Sequence, residues 1–205
     1  MNTFESNLPL QSRGAWRPAL VLSAITLLGF GGLYSLAATG IGSALFPSQA
    51  TGSIVVRDGK PVASLLVAQP FADPRYLQPR PSAAGYDPMA AAGSNQARTN
   101  PDAIARIALA RSEIAARDGI APAAVAADLI TQSGSGLDPH VSEQAASQQV
   151  ERIARARGIP VARVRDAVAQ ATQGSLGSPT YVNVVKVNLA LDDATRDALA
   201  PAPAQ

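Results

Sequence analysis

From Pro18 to Val56 the chain carries no charged side chain, and most of that interval is apolar: PALVLSAITLLGFGGLYSLAATGIGSALF, Pro18–Phe46. At a rise of ~1.5 Å per residue this run outreaches a hydrocarbon layer of ~30 Å, even when tilted. The spacing predicts a membrane-spanning helix over 18–46, preceded by a segment 1–17. A cleaved secretory signal is the competing reading, since Ser35-Leu36-Ala37 has the small-x-small form of a cleavage site. The apolar run continues through Ile41, Leu45 and Phe46, beyond any such site, which favours a retained helix.

That helix has a face. Gly31, Ser35, Thr39 and Ser43 recur at every fourth position, and Ala38 and Gly42 form another small-x-x-x-small pair. In lipid, small residues let the backbone of another helix approach closely, so the stripe predicts packing against partner helices. Arg13 and Arg17 lie just before the helix, and Arg57 and Lys60 lie further beyond it. Proximity favours an N-terminus inside and the bulk of the chain outside.

The remainder reads as a small α+β domain, a hairpin and a C-terminal strand with about four helices, over 47–192. Ser53–Val56 and Pro61–Ala68 flank Arg57-Asp58-Gly59-Lys60, and Asp-Gly between β-rich runs is a hairpin signal. The stretch 69–100 is rich in Pro, Gly and Ala, and a loop of that length is expected to be functional or pinned. Asn100-Pro101 starts a helix that stops near Gly119. Pro122 opens a shorter one to about Ile130. Ser142 caps a third, with Glu143 in its first turn and Arg152, Arg155 and Arg157 towards its end, a polarity that suits the helix dipole; Gly158 closes it. Pro160 starts a fourth, to about Gln173. Tyr181–Leu191 alternates, with Tyr181, Val185, Val187, Leu189 and Leu191 on one side and Lys186 and Asn188 on the other, which predicts a half-buried strand. The Ala-Pro tail, 193–205, is expected to be disordered.

Composition narrows the function. A net charge of +2 without a dense basic run argues against nucleic acid, and the absence of cysteine excludes disulfides and thiolate chemistry. The stretch Thr131–Ala146, TQSGSGLDPHVSEQAA, holds the chain's one histidine, His140. A serine hydrolase using Ser135 and His140 is one reading, but Ser133-Gly134-Ser135-Gly136 does not match the Gly-x-Ser-x-Gly elbow. A phosphate loop fails because Lys60 and Lys186 precede Pro61 and Val187 rather than Ser or Thr. One histidine and no thiolate argue against a metal site. Two readings remain: a generic anion site at the start of the Ser142 helix, or a tight connection that uses glycine and Asp138-Pro139 as turn residues.

Taken in order, the motifs resemble the C subunits of the Kdp high-affinity potassium-transporting P-type ATPases (the KdpC family), over about Trp16 to Asp192. The carriers are Arg17-Pro18-Ala19-Leu20, Leu45-Phe46-Pro47, Gln49-Ala50, Gly52-Ser53, Arg80-Pro81-Ser82-Ala83, Gly93-Ser94-Asn95 and Thr99-Asn100-Pro101. They continue with Ser133–His140, Arg155-Ala156-Arg157-Gly158, Val182-Asn183-Val184 and Asn188–Asp192. The family's Tyr-Pro in the membrane helix reads Tyr34-Ser35 here, Gln96 and Arg98 replace residues that are usually more neutral or apolar, and the segment between Gln173 and Pro179 is shorter than usual.

The resemblance implies an accessory subunit in the bacterial inner membrane. Its partners would be a channel-like potassium-binding subunit and a P-type ATPase subunit. It implies no intrinsic cofactor, with ATP shared with the ATPase subunit if the chain acts as a catalytic chaperone. Gln132, Ser133, Gly134, Ser135, Gly136, Asp138 and His140 would then be the nucleotide or partner contacts, beside a signature loop of Arg80, Pro81, Ser82, Gly93, Ser94 and Asn95. The other role it allows is an extracytoplasmic cap near the ion entrance. The chain lacks an Asp-Lys-Thr-Gly phosphorylation motif.

Overall fold

Trp16 to Leu45 form one long apolar helix in the computed structural model, which describes residues 14–174, 177 and 179–199. None of its hydrophobic window is buried within the chain. Trp16–Thr26 and Ser35–Leu45 are α-helical, while Leu27–Tyr34 winds as a π-helix, with i→i+5 hydrogen bonds. Gly29, Gly31 and Gly32 fall in this wide stretch, where the lack of side chains eases departure from α geometry. The backbone passes through Tyr34 and Ser35 at helical angles, φ −61° and −62°, and Ser35, unlike proline, keeps an amide hydrogen to offer the helix. Ser35, Thr39 and Ser43 keep α-helical spacing, and Gly31 precedes them within the wider turns. At the near end the Arg17 guanidinium lies 5.3 Å from the Trp16 ring centre, the residue pairing of an interfacial anchor. Arg13 lies outside the described residues.

The chain divides into two compact units, Met1–Thr51 and Gly52–Gln205. In the second, β1 (Ile54–Arg57) and β2 (Lys60–Ser64) form the expected hairpin. Asp58 and Gly59 have φ of 51° and 74°, the left-handed pair that a tight two-residue hairpin turn requires. The second run is shorter than the sequence suggests, ending at Ser64 rather than Ala68.

Helix ends follow local chemistry. The Asn100 side chain accepts from the amides of Asp102 and Ala103 at 2.9 and 3.2 Å, and the Pro101–Asp118 helix stops at left-handed Gly119. Ser142 accepts from Ala145 N at 3.2 Å to cap Glu143–Arg157, which Gly158 closes. Val161–Ala171 follows Pro160. The expected helix from Pro122 is instead a 3₁₀ turn, Pro122–Ala124, and a single α-turn, Ala127–Ile130.

The larger correction lies at the C-terminus. Only Tyr181–Asn183 (β5) is strand, and Val184–Leu199 is a helix. Val184, Val187, Asn188 and Leu191 are all buried, a spacing of three and four that marks one helix face. The buried asparagine imitated an outward strand position and concealed that period. The helix also occupies 193–199 of the expected disordered tail; 200–205 lie outside the described residues.

Strand β5 sits centrally between β3 (His140–Ser142) and β4 (Thr172–Gln173), both antiparallel to it, with Val141 opposite Val182. This small sheet and the helices Glu143–Arg157, Val161–Ala171 and Val184–Leu199 enclose the core, where Leu77, Ile153, Val164, Val182 and Val187 are fully buried. Burying each such side chain stabilises the fold by roughly 1.5–3 kcal/mol.

Segment 69–100 is pinned by side chains. Asn188 Oδ1 accepts from Leu77 N at 2.8 Å while its Nδ2 donates to Leu77 O at 2.9 Å. At the next residue, Gln149 Oε1 accepts from Gln78 N at 3.0 Å and its Nε2 donates to Gln78 O at 3.2 Å. Two amide side chains thus pair with consecutive peptide units as a neighbouring strand would. Beneath them Arg152 donates to Asp118 at 2.8 Å, to Gln149 at 2.7 Å and to the carbonyls of Pro74 and Tyr76.

Candidate functional site

The pinned segment delivers the signature residues Arg80–Ser82 and Gly93 against the Ser-Gly loop. Ser133 N donates to Pro81 O at 3.0 Å, and Arg80 Nη2 donates to Gln132 O at 3.2 Å. Arg80 Nη1 lies 3.4 Å from Asp138 Oδ2. Ser82 Oγ accepts from the amides of Ala84 and Tyr86 at 3.1 and 3.0 Å, and Tyr86 OH donates to Arg80 O at 3.0 Å. Those bonds hold Tyr86 at φ +63°, a costly angle for a bulky residue. Burial pushes its phenol pKa up.

Two glycines explain how closely these loops meet. A Cβ on Gly93 would lie 2.7 Å from Gly134 O. At Gly136, φ is +72° and a Cβ would meet Ala92 O at 2.8 Å and Ser82 Oγ at 3.0 Å. The structure therefore brings Arg80, Pro81, Ser82, Gly93, Gln132–Gly136, Asp138 and His140 onto one surface of the domain. Ser94 and Asn95 continue from it and are exposed, Asn95 at φ +52°.

The loop's polar groups are largely spent on the loop itself. Ser133 Oγ accepts from Gly136 N at 3.1 Å, Ser135 Oγ accepts from Leu137 N at 3.1 Å, and the two hydroxyls lie 3.2 Å apart. His140 Nδ1 is 3.4 Å from Asp138 Oδ1, its Nε2 is 3.4 Å from Asn183 Nδ2, and its ring meets Tyr181 edge-on. Among the described residues no hydrogen bond joins Ser135 to His140, so the nucleophile–base contact of a hydrolase is not formed. At the start of the Ser142 helix two amides already have partners, Ser142 N on the Asp128 carboxylate at 2.7 Å and Ala145 N on Ser142 Oγ at 3.2 Å, and Glu143 adds a second negative charge in the first turn, which disfavours an anion there.

Two polar atoms stand apart. Arg80 Nε and Gln132 Oε1 are buried without a hydrogen-bond partner among the described residues, each at a cost of about 1–3 kcal/mol. Nearby, an open cavity of about 380 Å³ is lined by Arg80, Asp128, Asp138, His140, Thr180 and Tyr181. Of the polar residues that hold the site in place, the sequence reading leaves Gln149 and Asp118 unnamed, takes Arg152 only as a helix-end cation, and takes Asn188 only as an outward strand position and part of a family motif. A buried amide or charge leaves no periodic mark; only the interruption of an apolar stripe at Asn188 could have pointed to one. The membrane stripe, Gly31 to Ser43, belongs to the other unit.

The family model for the K+-transporting ATPase c chain, KdpC, matches residues 16–193. A potassium-transporting ATPase KdpC subunit of Xanthomonas oryzae pv. oryzae is 58% identical over 193 residues, covering 92% of each chain. That of Sorangium cellulosum is 50% identical over 187 residues, covering 87% of this chain and 97% of its own. The Polaromonas naphthalenivorans subunit is 48% identical over 183 residues, covering 86% and 93%. With a matching model over nearly its whole length and relatives of this identity, the chain belongs to the KdpC family of potassium-transporting ATPase subunits.

Proposed function

We propose that the chain is a non-catalytic accessory subunit of an ATP-driven potassium uptake complex. Its membrane helix packs against a channel-like subunit, and its folded domain lies outside the cytoplasmic membrane near the ion entrance, where it stabilises assembly. The observation that carries this is the Trp16–Leu45 helix, which buries none of its apolar window within the chain and presents Ser35, Thr39 and Ser43 at contact spacing. The position of Arg17 supports an inside N-terminus. The joint substitution Gly31→Leu and Thr39→Leu tests the contact: the complex should no longer co-purify and potassium uptake should fall. Normal assembly and uptake would remove the helix as a docking element.

A second reading makes the Ser-Gly surface a nucleotide contact that assists the ATPase subunit. The unpartnered Gln132 Oε1 and Arg80 Nε favour it. Ser135 is exposed, so a Ser135→Cys variant in the assembled complex decides between the two. Labelling by a membrane-impermeant maleimide from outside ends direct nucleotide contact. Labelling only after permeabilisation ends the extracytoplasmic placement.

A further inference from the structure

The β1–β2 hairpin carries an apolar face that the folded unit does not use. Ile54, Val56, Val62 and Leu66 are 50%, 58%, 41% and 59% exposed. The other large exposed apolar side chains described in that unit, Met89, Ile104, Leu109 and Tyr181, lie on other elements. Alternation along the strands separates the two faces for Ile54, Val56 and Val62, across a register shift at Val55/Val56, and Leu66 lies exposed in the turn that follows β2. Ala63 points inward and is buried, and Arg57 is drawn to Asp193 at 2.7 Å and Leu189 O at 2.8 Å. The strand's own charge is thereby kept off the outward face. Asn183 Nδ2 donates to Leu65 O at 2.9 Å, and Ser64 Oγ donates to Gly52 O at 2.7 Å, so the hairpin is presented on a fixed base.

We infer that this face seats the hairpin in the bilayer interface at the end of the spanning helix. Covalent reach limits where it can go: only the one-turn helix Pro47–Ala50 and a short turn separate Leu45 from Ile54, roughly 30 Å of chain even when fully extended. The face is aliphatic, without the aromatic or arginine anchors that dominate protein–protein contacts. Lys60, exposed at the turn, has the flexible stem and charged head that reach lipid headgroups from such a position. Seating the hairpin would fix the folded unit at the membrane surface by a second attachment, whichever side it occupies.

The full chain, reconstituted in phospholipid vesicles, supplies the test, and the absence of cysteine makes each introduced thiol unique. Val56→Cys and Leu66→Cys carry an environment-sensitive fluorophore, with Leu33→Cys marking the bilayer interior and Met89→Cys, 92% exposed, marking water. Seating predicts that the probes at 56 and 66 are quenched by brominated lipids as Leu33 is and shielded from iodide, while the probe at 89 shows the reverse. Probes at 56 and 66 that follow the one at 89 overturn the inference. Shielding that appears only once the other subunits are added overturns it too, in favour of a protein partner. A probe at 33 open to iodide would remove the spanning helix, and the hairpin's seating with it.

Discussion

Along Trp16–Leu45 the helix closes its own backbone hydrogen bonds and hides none of its apolar surface, whereas the segment 69–100 buries Leu77 completely and must borrow bonding partners from distant helices. The contrast follows from one requirement, that every buried amide and carbonyl be paired. A regular element meets it locally and is left needing company for its side chains. An irregular one settles its side chains in the core and needs polar groups for its backbone. The spanning helix is therefore specified by what surrounds the chain, and the pinned segment by what lies inside it.

The sharpest way to break the pinned side is at Asp118 and Arg152. Their side chains are 0% and 5% exposed and 2.8 Å apart. Burial raises the Asp118 pKa, but hydrogen bonds from Arg117, Gln148 and Arg152 outweigh it and hold the carboxyl below its ordinary value; burial likewise lowers the Arg152 pKa. Arg152→Ala leaves the Asp118 carboxylate with Arg117 and Gln148 alone and strands the Pro74 and Tyr76 carbonyls, and should cost about 3–5 kcal/mol in urea unfolding of the full chain. Because the folded pKa of Asp118 is depressed, its contribution is complete above the unfolded carboxylate pKa of ~4 and is lost as pH falls through the folded value. Asp118→Asn should flatten that acid limb. An unchanged limb would mean that Asp118 does not link proton binding to folding.

Next in size are the amide clamps. Asn188→Leu leaves the Leu77 amide and carbonyl unpaired and should cost about 2–3 kcal/mol, with Gln149→Met costing somewhat less because Gln78 is nearer solvent. The clamps hold adjacent peptides, so the double variant should lose less than the sum of the singles. Strict additivity would show that the segment is held in independent pieces. Smaller again is Gly93→Ala, which sets a methyl against Gly134 O and should cost about 1–2 kcal/mol while moving the signature loops apart.

These residues also mark where the sequence stopped being readable. The span, the Asp58-Gly59 hairpin, the Asn100 and Ser142 caps and the Gly119 and Gly158 stops depend on neighbours in the chain, and each appears as a local pattern. The Val184–Leu199 helix reads as a strand because Asn188, placed inward to bond Leu77, passes for an outward strand position and hides the three-and-four period of the helix face. In the candidate site the resemblance picked out Arg80–Ser82, Gly93 and Ser133–His140, but their approach depends on Gln149 and Asn188, more than sixty residues along the chain from the peptides they hold. No local pattern encodes a pairing at that separation.

The spanning side of the comparison predicts the smallest effect. Gly31→Leu adds a side chain where the helix is open: a Cβ there meets only the Leu27 side chain, at 3.8 Å. No buried group loses a partner, so the unfolding free energy of the folded unit in urea should change by less than about 0.5 kcal/mol, as for other exposed substitutions. The same variant, joined with Thr39→Leu, is expected to abolish co-purification with the complex. A substitution silent in the isolated chain and severe in the assembly would mean that the helix face is shaped for a neighbour. If Gly31→Leu alone destabilised the domain as much as Asn188→Leu, the helix would be serving the fold of this chain, and the division between the two regions would fail.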